Sequence, residues 1–75
     1  MPPVPLLRPQ EVVMAFEKHG WQVARQRRGH IIMTKPGHRA TLSIPNHFEV
    51  ARGTLRSLIQ RADLTIEDFI RAVEE

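Results

Sequence analysis

Apolar and polar residues alternate one by one from Arg39 to Ile44, and this alternation limits the possible folds more than any other feature. The two sets are Ala40, Leu42 and Ile44 on one side, and Arg39, Thr41 and Ser43 on the other. Successive residues of a strand point to opposite faces. The pattern therefore predicts a strand in a sheet with one buried and one open face.

Two further strands are predicted before this one, over Trp21–Gln26, with Trp21 and Val23 on one side, and over His30–Lys35. Lys35-Pro36-Gly37-His38 then predicts a type II turn, because proline and glycine occupy its two central positions. We expect His38, at the tip of this turn, to be exposed to solvent.

Apolar residues at helical spacing predict three helices, one before the strands and two after them. The first covers Pro9–His19 and is ended by Gly20 as the C′ residue, the second begins at Gly53, and Thr65 caps the third. Helices in this order must cover one face of an antiparallel sheet, which predicts a two-layer α+β fold of order α-β-β-β-α-α. We expect residues 1–8 to be a proline-rich, extended lead-in, and residues 9–75 to form a single domain.

The charge is divided unevenly along the chain. Residues 1–62 contain ten Lys or Arg and three acidic residues, a balance of +7, and the remainder has one Arg and five acids, a balance of −4. Nine of the eleven cations are arginine, which binds phosphate in a bidentate manner. A basic body of this kind favours a polyanionic partner.

The composition also narrows the location and the chemistry. The sequence has no cysteine, which excludes disulfides and thiolate sites and fits a reducing compartment. It has no apolar run of membrane-spanning length and no signal-peptide pattern at its start. We therefore expect a soluble, cytoplasmic protein.

The most informative short motif is Arg25-Gln26-Arg27-Arg28-Gly29-His30, where three arginines precede a histidine at the start of a strand. Placing Ile31 and Met33 in the core leaves His30 on the open face, and the opposite choice would bury a polar ring. Histidine exchanges protons near neutral pH, and the arginines can hold a phosphate. The cluster therefore suggests cleavage of RNA rather than binding alone.

Five segments together resemble the HicA family of toxins from prokaryotic toxin–antitoxin systems. They are His19-Gly20-Trp21, Val23–His30 (the family's RQKGSH), Leu42–His47 (TVPxH), Gly53–Ile59 (GTLRSIL) and Leu64–Phe69 (GLTxEEF). The chain departs from the family at Arg28-Gly29, which stands where the family has Gly-Ser.

This resemblance implies a fold like that of double-stranded-RNA-binding domains, an mRNA interferase activity and a HicB-type antitoxin as partner. It implies that His30 is the catalytic residue. From the residues themselves we expect Arg25, Arg27 and Arg28 to bind RNA. We expect neither a cofactor nor a metal ion, since the four histidines have no ligand spacing and cysteine is absent.

Three further residues are weaker candidates. His47 is a candidate second acid or base, and Arg52 and Arg56, at the start of the second helix, are candidates for a second phosphate. Two other functions stay open: a non-catalytic RNA-binding module, and a protein-interaction domain that uses Ile32 and the open sheet face.

Overall fold

Three strands and three helices follow one another in the predicted order. The computed structural model describes residues 4–75, and the elements within it are α1 (Pro9–Glu17), β1 (Gln22–Arg27), β2 (His30–Thr34), β3 (Leu42–Pro45), α2 (Arg52–Arg61) and α3 (Ile66–Glu74). The strands form one antiparallel sheet of order β1-β2-β3, and α1 and α2 pack against it. The predicted α+β fold is therefore confirmed.

One face of the sheet forms the core, and the other is open. Ile31 pairs with Ile44 and Met33 with Leu42 across β2 and β3, and all four side chains are buried. Ile32 pairs with Ser43 on the opposite face, where Ser43 is exposed. The predicted orientation of β2, with Ile31 and Met33 inside, is confirmed.

Helix α1 ends as its glycine predicts. Gly20 has a φ of +92°, its N–H donates to the carbonyl of Glu17, and the N–H of Trp21 donates to the carbonyl of Phe16. These two bonds are a Schellman motif with Gly20 at C′. The motif brings the buried Trp21 ring edge-on to Phe16, whose ring also lies 4.9 Å from that of Phe69.

The segment before α1 packs on the same core as the rest of the chain. Val4 and Leu7 are buried, Leu7 forms a β-bridge with Val50, and Arg52 Nε donates to the carbonyl of Val4 over 3.0 Å. The expected extended lead-in lies partly outside the described residues, which begin at residue 4. Within residues 4–75 the longest helix has ten residues, and none has the length and apolar character of a membrane span.

Two predictions near the second turn were wrong. The third strand begins at Leu42 and not at Arg39, because the N–H of Ala40 donates to His38 Nδ1 and does not join the sheet. His38 is half-buried and not fully exposed: its ring lies 4.9 Å from that of Trp21, and its Nε2–H donates to Asp63 over 2.9 Å. The turn itself forms as predicted, with a bond from the His38 N–H to the Lys35 carbonyl.

Candidate active site

The turn between β1 and β2 positions the central residues of the candidate site. Arg28 and Gly29 have φ values of +50° and +76°, the combination of a two-residue type I′ turn. This turn continues the right-handed twist of the strands, and it places Arg27 directly opposite His30. Cβ atoms of such pairs lie about 4.5–5.5 Å apart, so the Arg27 guanidinium can reach the surroundings of the His30 ring.

An irregularity in β1 determines which face carries the arginines. The pairing shifts between Val23, opposite Met33, and Arg25, opposite Ile32, so that Ala24 is an extra residue. In a regular strand Val23 and Arg25 would share a face. With the bulge, Val23 lies on the helix side and both Arg25 and Arg27 lie on the open side with His30.

The environment of His30 specifies its neutral tautomer. The ring is half-buried, and its Nδ1 lies 3.2 Å from the carbonyl oxygen of Arg28. Since a carbonyl can only accept a hydrogen bond, Nδ1 carries the proton in this contact. The lone pair of the neutral ring is then on Nε2, which is the atom left to exchange a proton with a bound molecule.

The loop after β3 is joined to the tip of this hairpin. The N–H of Asn46 donates to the carbonyl of Gly29 over 2.8 Å, one residue beyond the pairing of Pro45 with His30. His47 follows in this loop and is exposed. Phe48 is 96% exposed and is not among the site residues predicted from the sequence. The sequence feature that could have indicated its exposure is its position in a loop, outside the apolar stripes of the predicted helices and strands.

The two arginines of α2 lie apart from this cluster. Arg52 is bonded to the carbonyl of Val4, and Arg56 lines a groove between α2 and α3 that also contains Glu67. The structure therefore brings Arg25, Arg27 and His30 together on one face, with Arg28 at the turn beside them. Arg52 and Arg56 are not among the residues that strand pairing places beside His30.

The two remaining histidines, His19 and His38, have structural contacts. His19 Nε2 lies 3.3 Å from the carbonyl of Asp68, which links the end of α1 to α3, and His38 is bonded to Asp63. Among residues 4–75, no three His, Asp or Glu side chains are close enough together to hold a metal ion.

Fold and site together define a small α+β domain whose open sheet face carries one histidine among arginines. A comparison with protein families matches residues 9–64 of the 75 to the model described as the HicA toxin of bacterial toxin–antitoxin. The chain therefore belongs to the HicA toxin family, as the sequence motifs predicted. A comparison with curated proteins found no match. Membership of a toxin–antitoxin family implies an antitoxin partner.

Proposed function

We propose that this protein is a toxin that cleaves mRNA in the cytoplasm without a metal ion, using His30 for proton transfer. The observation that carries the proposal is the position of His30 on the open sheet face, opposite Arg27, with Nε2 free to exchange a proton. The proposed antitoxin is of the HicB type, and it would cover this face. Residues 9–75 would act as one domain and residues 1–8 as its lead-in, of which Val4 and Leu7 pack on the core of the domain.

RNA carries its own nucleophile, so the protein has to supply only proton transfer and charge stabilisation. His30 Nε2 would take the proton of the 2′-hydroxyl as that oxygen attacks the neighbouring phosphorus. The bond to the 5′-oxygen then breaks, and the products are a 2′,3′-cyclic phosphate and a 5′-hydroxyl. A positioned histidine contributes about 10²–10⁴-fold to such a step.

The arginines would stabilise the charge that develops on the phosphate. Arg25 and Arg27 share the face of His30, and Arg28 is at the adjacent turn. Guanidinium groups bind phosphate oxygens in a bidentate manner, and their stabilisation increases where water is excluded. His47 is the candidate acid for the leaving oxygen, because its loop is bonded to the same turn.

The test is cleavage of a defined single-stranded RNA in EDTA, with analysis of the product ends. We expect His30→Gln to abolish cleavage and leave the circular dichroism spectrum unchanged. His19→Gln is the matched control, because this histidine contacts α3 and not the open face, and it should retain cleavage. Full activity of His30→Gln would refute the assignment of His30.

A second candidate function, RNA binding without cleavage, is favoured by Arg28-Gly29. This pair stands where the family has Gly-Ser, so the serine hydroxyl is missing beside His30. The basic open face would then bind RNA mainly through phosphate and 2′-hydroxyl contacts. Salt-sensitive RNA binding by a well-folded protein, with no cyclic-phosphate ends, would support this function over cleavage.

A further inference from the structure

A cleft of about 260 Å³ lies between β3 and α2. It is lined by Thr41, Ser43, Thr54, Ser57, Leu58 and Arg61. Four of these six side chains carry hydroxyl groups, one carries a guanidinium group, and none is acidic. The leucine is buried beneath them. The hydroxyl and guanidinium groups are the polar groups that a ligand would meet here.

The cleft borders the open face that carries His30. Ser43 is the pairing partner of Ile32, and Ile32 lies two residues from His30 on the same face of β2. Ser43 is therefore the diagonal cross-strand neighbour of His30, and such neighbours lie about 7–8 Å apart, comparable to the repeat of a single-stranded nucleic acid backbone. A polymer bound at His30 can therefore cross the sheet and enter the cleft within one or two nucleotides.

The lining matches the chemistry of a ribose–phosphate unit. Hydroxyl groups can donate to phosphate oxygens and accept from a 2′-hydroxyl, and arginine binds phosphate in a bidentate manner. Ser57 Oγ donates to the carbonyl of Gly53 over 3.1 Å, which leaves its lone pairs for an incoming donor. No carboxylate lines the cleft to repel a phosphate, and its guanidinium and hydroxyl groups supply hydrogen-bond donors, so a polyanion fits.

We propose that this cleft binds a ribose–phosphate unit of the RNA substrate, one or two nucleotides from the bond cleaved at His30. The proposal rests on the proposed function, and it extends that function to a second binding subsite. Arg61 holds the phosphate, and the hydroxyl groups of Ser43 and Thr54 contact the sugar. Substrates are then distinguished by length.

The experiment compares three RNA oligonucleotides: one that the wild-type protein cleaves once, and two versions of it shortened by two nucleotides, one at the 5′ end and one at the 3′ end. We expect Arg61→Gln and Ser43→Ala each to raise KM for the longer RNA about three- to tenfold, with kcat unchanged. For the RNA shortened on the side that enters the cleft, wild type and variants should have the same KM. Arg61→Gln should also reduce the salt slope of RNA binding by about 0.7, the value for one phosphate contact in a single strand.

Arg71→Gln is the matched control, because Arg71 is an exposed arginine on α3 outside the cleft. Equal effects of Arg61→Gln and Arg71→Gln, with wild-type cleavage intact, would overturn the subsite and leave the proposed function standing. Loss of antitoxin binding in Arg61→Gln with unchanged RNA kinetics would overturn it in favour of a protein interface. Failure of the proposed function would appear separately, as absence of RNA cleavage by the wild-type protein. In that case the salt slopes of RNA binding still test the cleft.

Discussion

Replacement of Arg28 by glycine should make the protein more stable and less active. Arg28 has a φ of +50°, and the left-handed region costs a residue with a side chain about 1–2 kcal/mol. Glycine adopts this conformation without that cost, but it loses about 0.4–1 kcal/mol through the greater freedom of the unfolded chain. The net gain is about 0.5–1 kcal/mol, which corresponds to a rise in Tm of about 3–6 °C for a domain of this size.

The same substitution removes one cation beside His30. The carbonyl of residue 28 belongs to the main chain, so its bond with His30 Nδ1 should persist in Arg28→Gly. We therefore expect weaker RNA binding with the position of His30 retained. Thermal unfolding followed by circular dichroism, together with the cleavage assay, measures the two effects on one sample.

Gly29→Ala is the control within the same turn. A Cβ at position 29 would have no atom within 4 Å, so its cost comes only from the φ of +76°. We expect Gly29→Ala to destabilise the protein by about 0.5–1 kcal/mol, which is the left-handed cost less the entropy that alanine removes from the unfolded chain, opposite in sign to Arg28→Gly. A lower Tm for Arg28→Gly, or an unchanged Tm for Gly29→Ala, would refute the type I′ assignment and the strain derived from it.

Substitutions at three further positions test the fold by urea unfolding. Gly53→Ala should stabilise by about 0.5–1 kcal/mol, because residue 53 is helical and its Cβ would enter open space; a loss of stability would contradict this. Asp63→Ala should destabilise the protein by about 1 kcal/mol, because it removes the acceptor of the His38 Nε2–H. Asp63→Asn should cost less stability, because asparagine keeps an acceptor and tolerates the φ of +60°. Equal losses of stability in the two variants would contradict this account. Met33→Ala should cost about 2–5 kcal/mol, because Met33 is fully buried in the middle strand, and a cost below 1 kcal/mol would show that the site collapses.

The features that could be predicted from the sequence depend on local patterns or on a clear difference in burial. The orientation of β2 follows from a difference in burial, because burying Ile31 and Met33 gains about 1.5–3 kcal/mol each, whereas burying His30 would require a partner for its polar ring. The end of α1 at Gly20 and the cap of α3 at Thr65 follow from local sequence patterns. Thr65 Oγ1 accepts the N–H of Asp68 over 3.0 Å, as a threonine before a helix predicts.

The features that were missed depend on contacts between distant parts of the chain. Asp63 lies 25 residues from His38, and nothing in the turn sequence indicates that this aspartate will be its partner. The cleft behind Ser43 likewise forms only when α2 packs beside β3. Ala24 has no sequence signal for a bulge, because no glycine marks the position and β1, exposed along its whole length, has no apolar alternation that would reveal the shift in register.

The bulge itself gives a sharp test of how the site is assembled. The two-residue turn keeps Arg27 opposite His30, so deleting Ala24 should leave a regular ladder in which Arg25 still pairs with Ile32 on the open face. Deleting Gln26 also gives a regular ladder, but it places Arg25 opposite Ile31, on the helix side. Both deletions remove one residue from an edge strand that is exposed along its length, so both chains should fold. We expect the Gln26 deletion alone to weaken RNA binding and to reduce its salt slope by about 0.7. Equal losses in the two variants, measured by RNA titration at several salt concentrations, would show that the open-face position of Arg25 does not contribute to RNA binding.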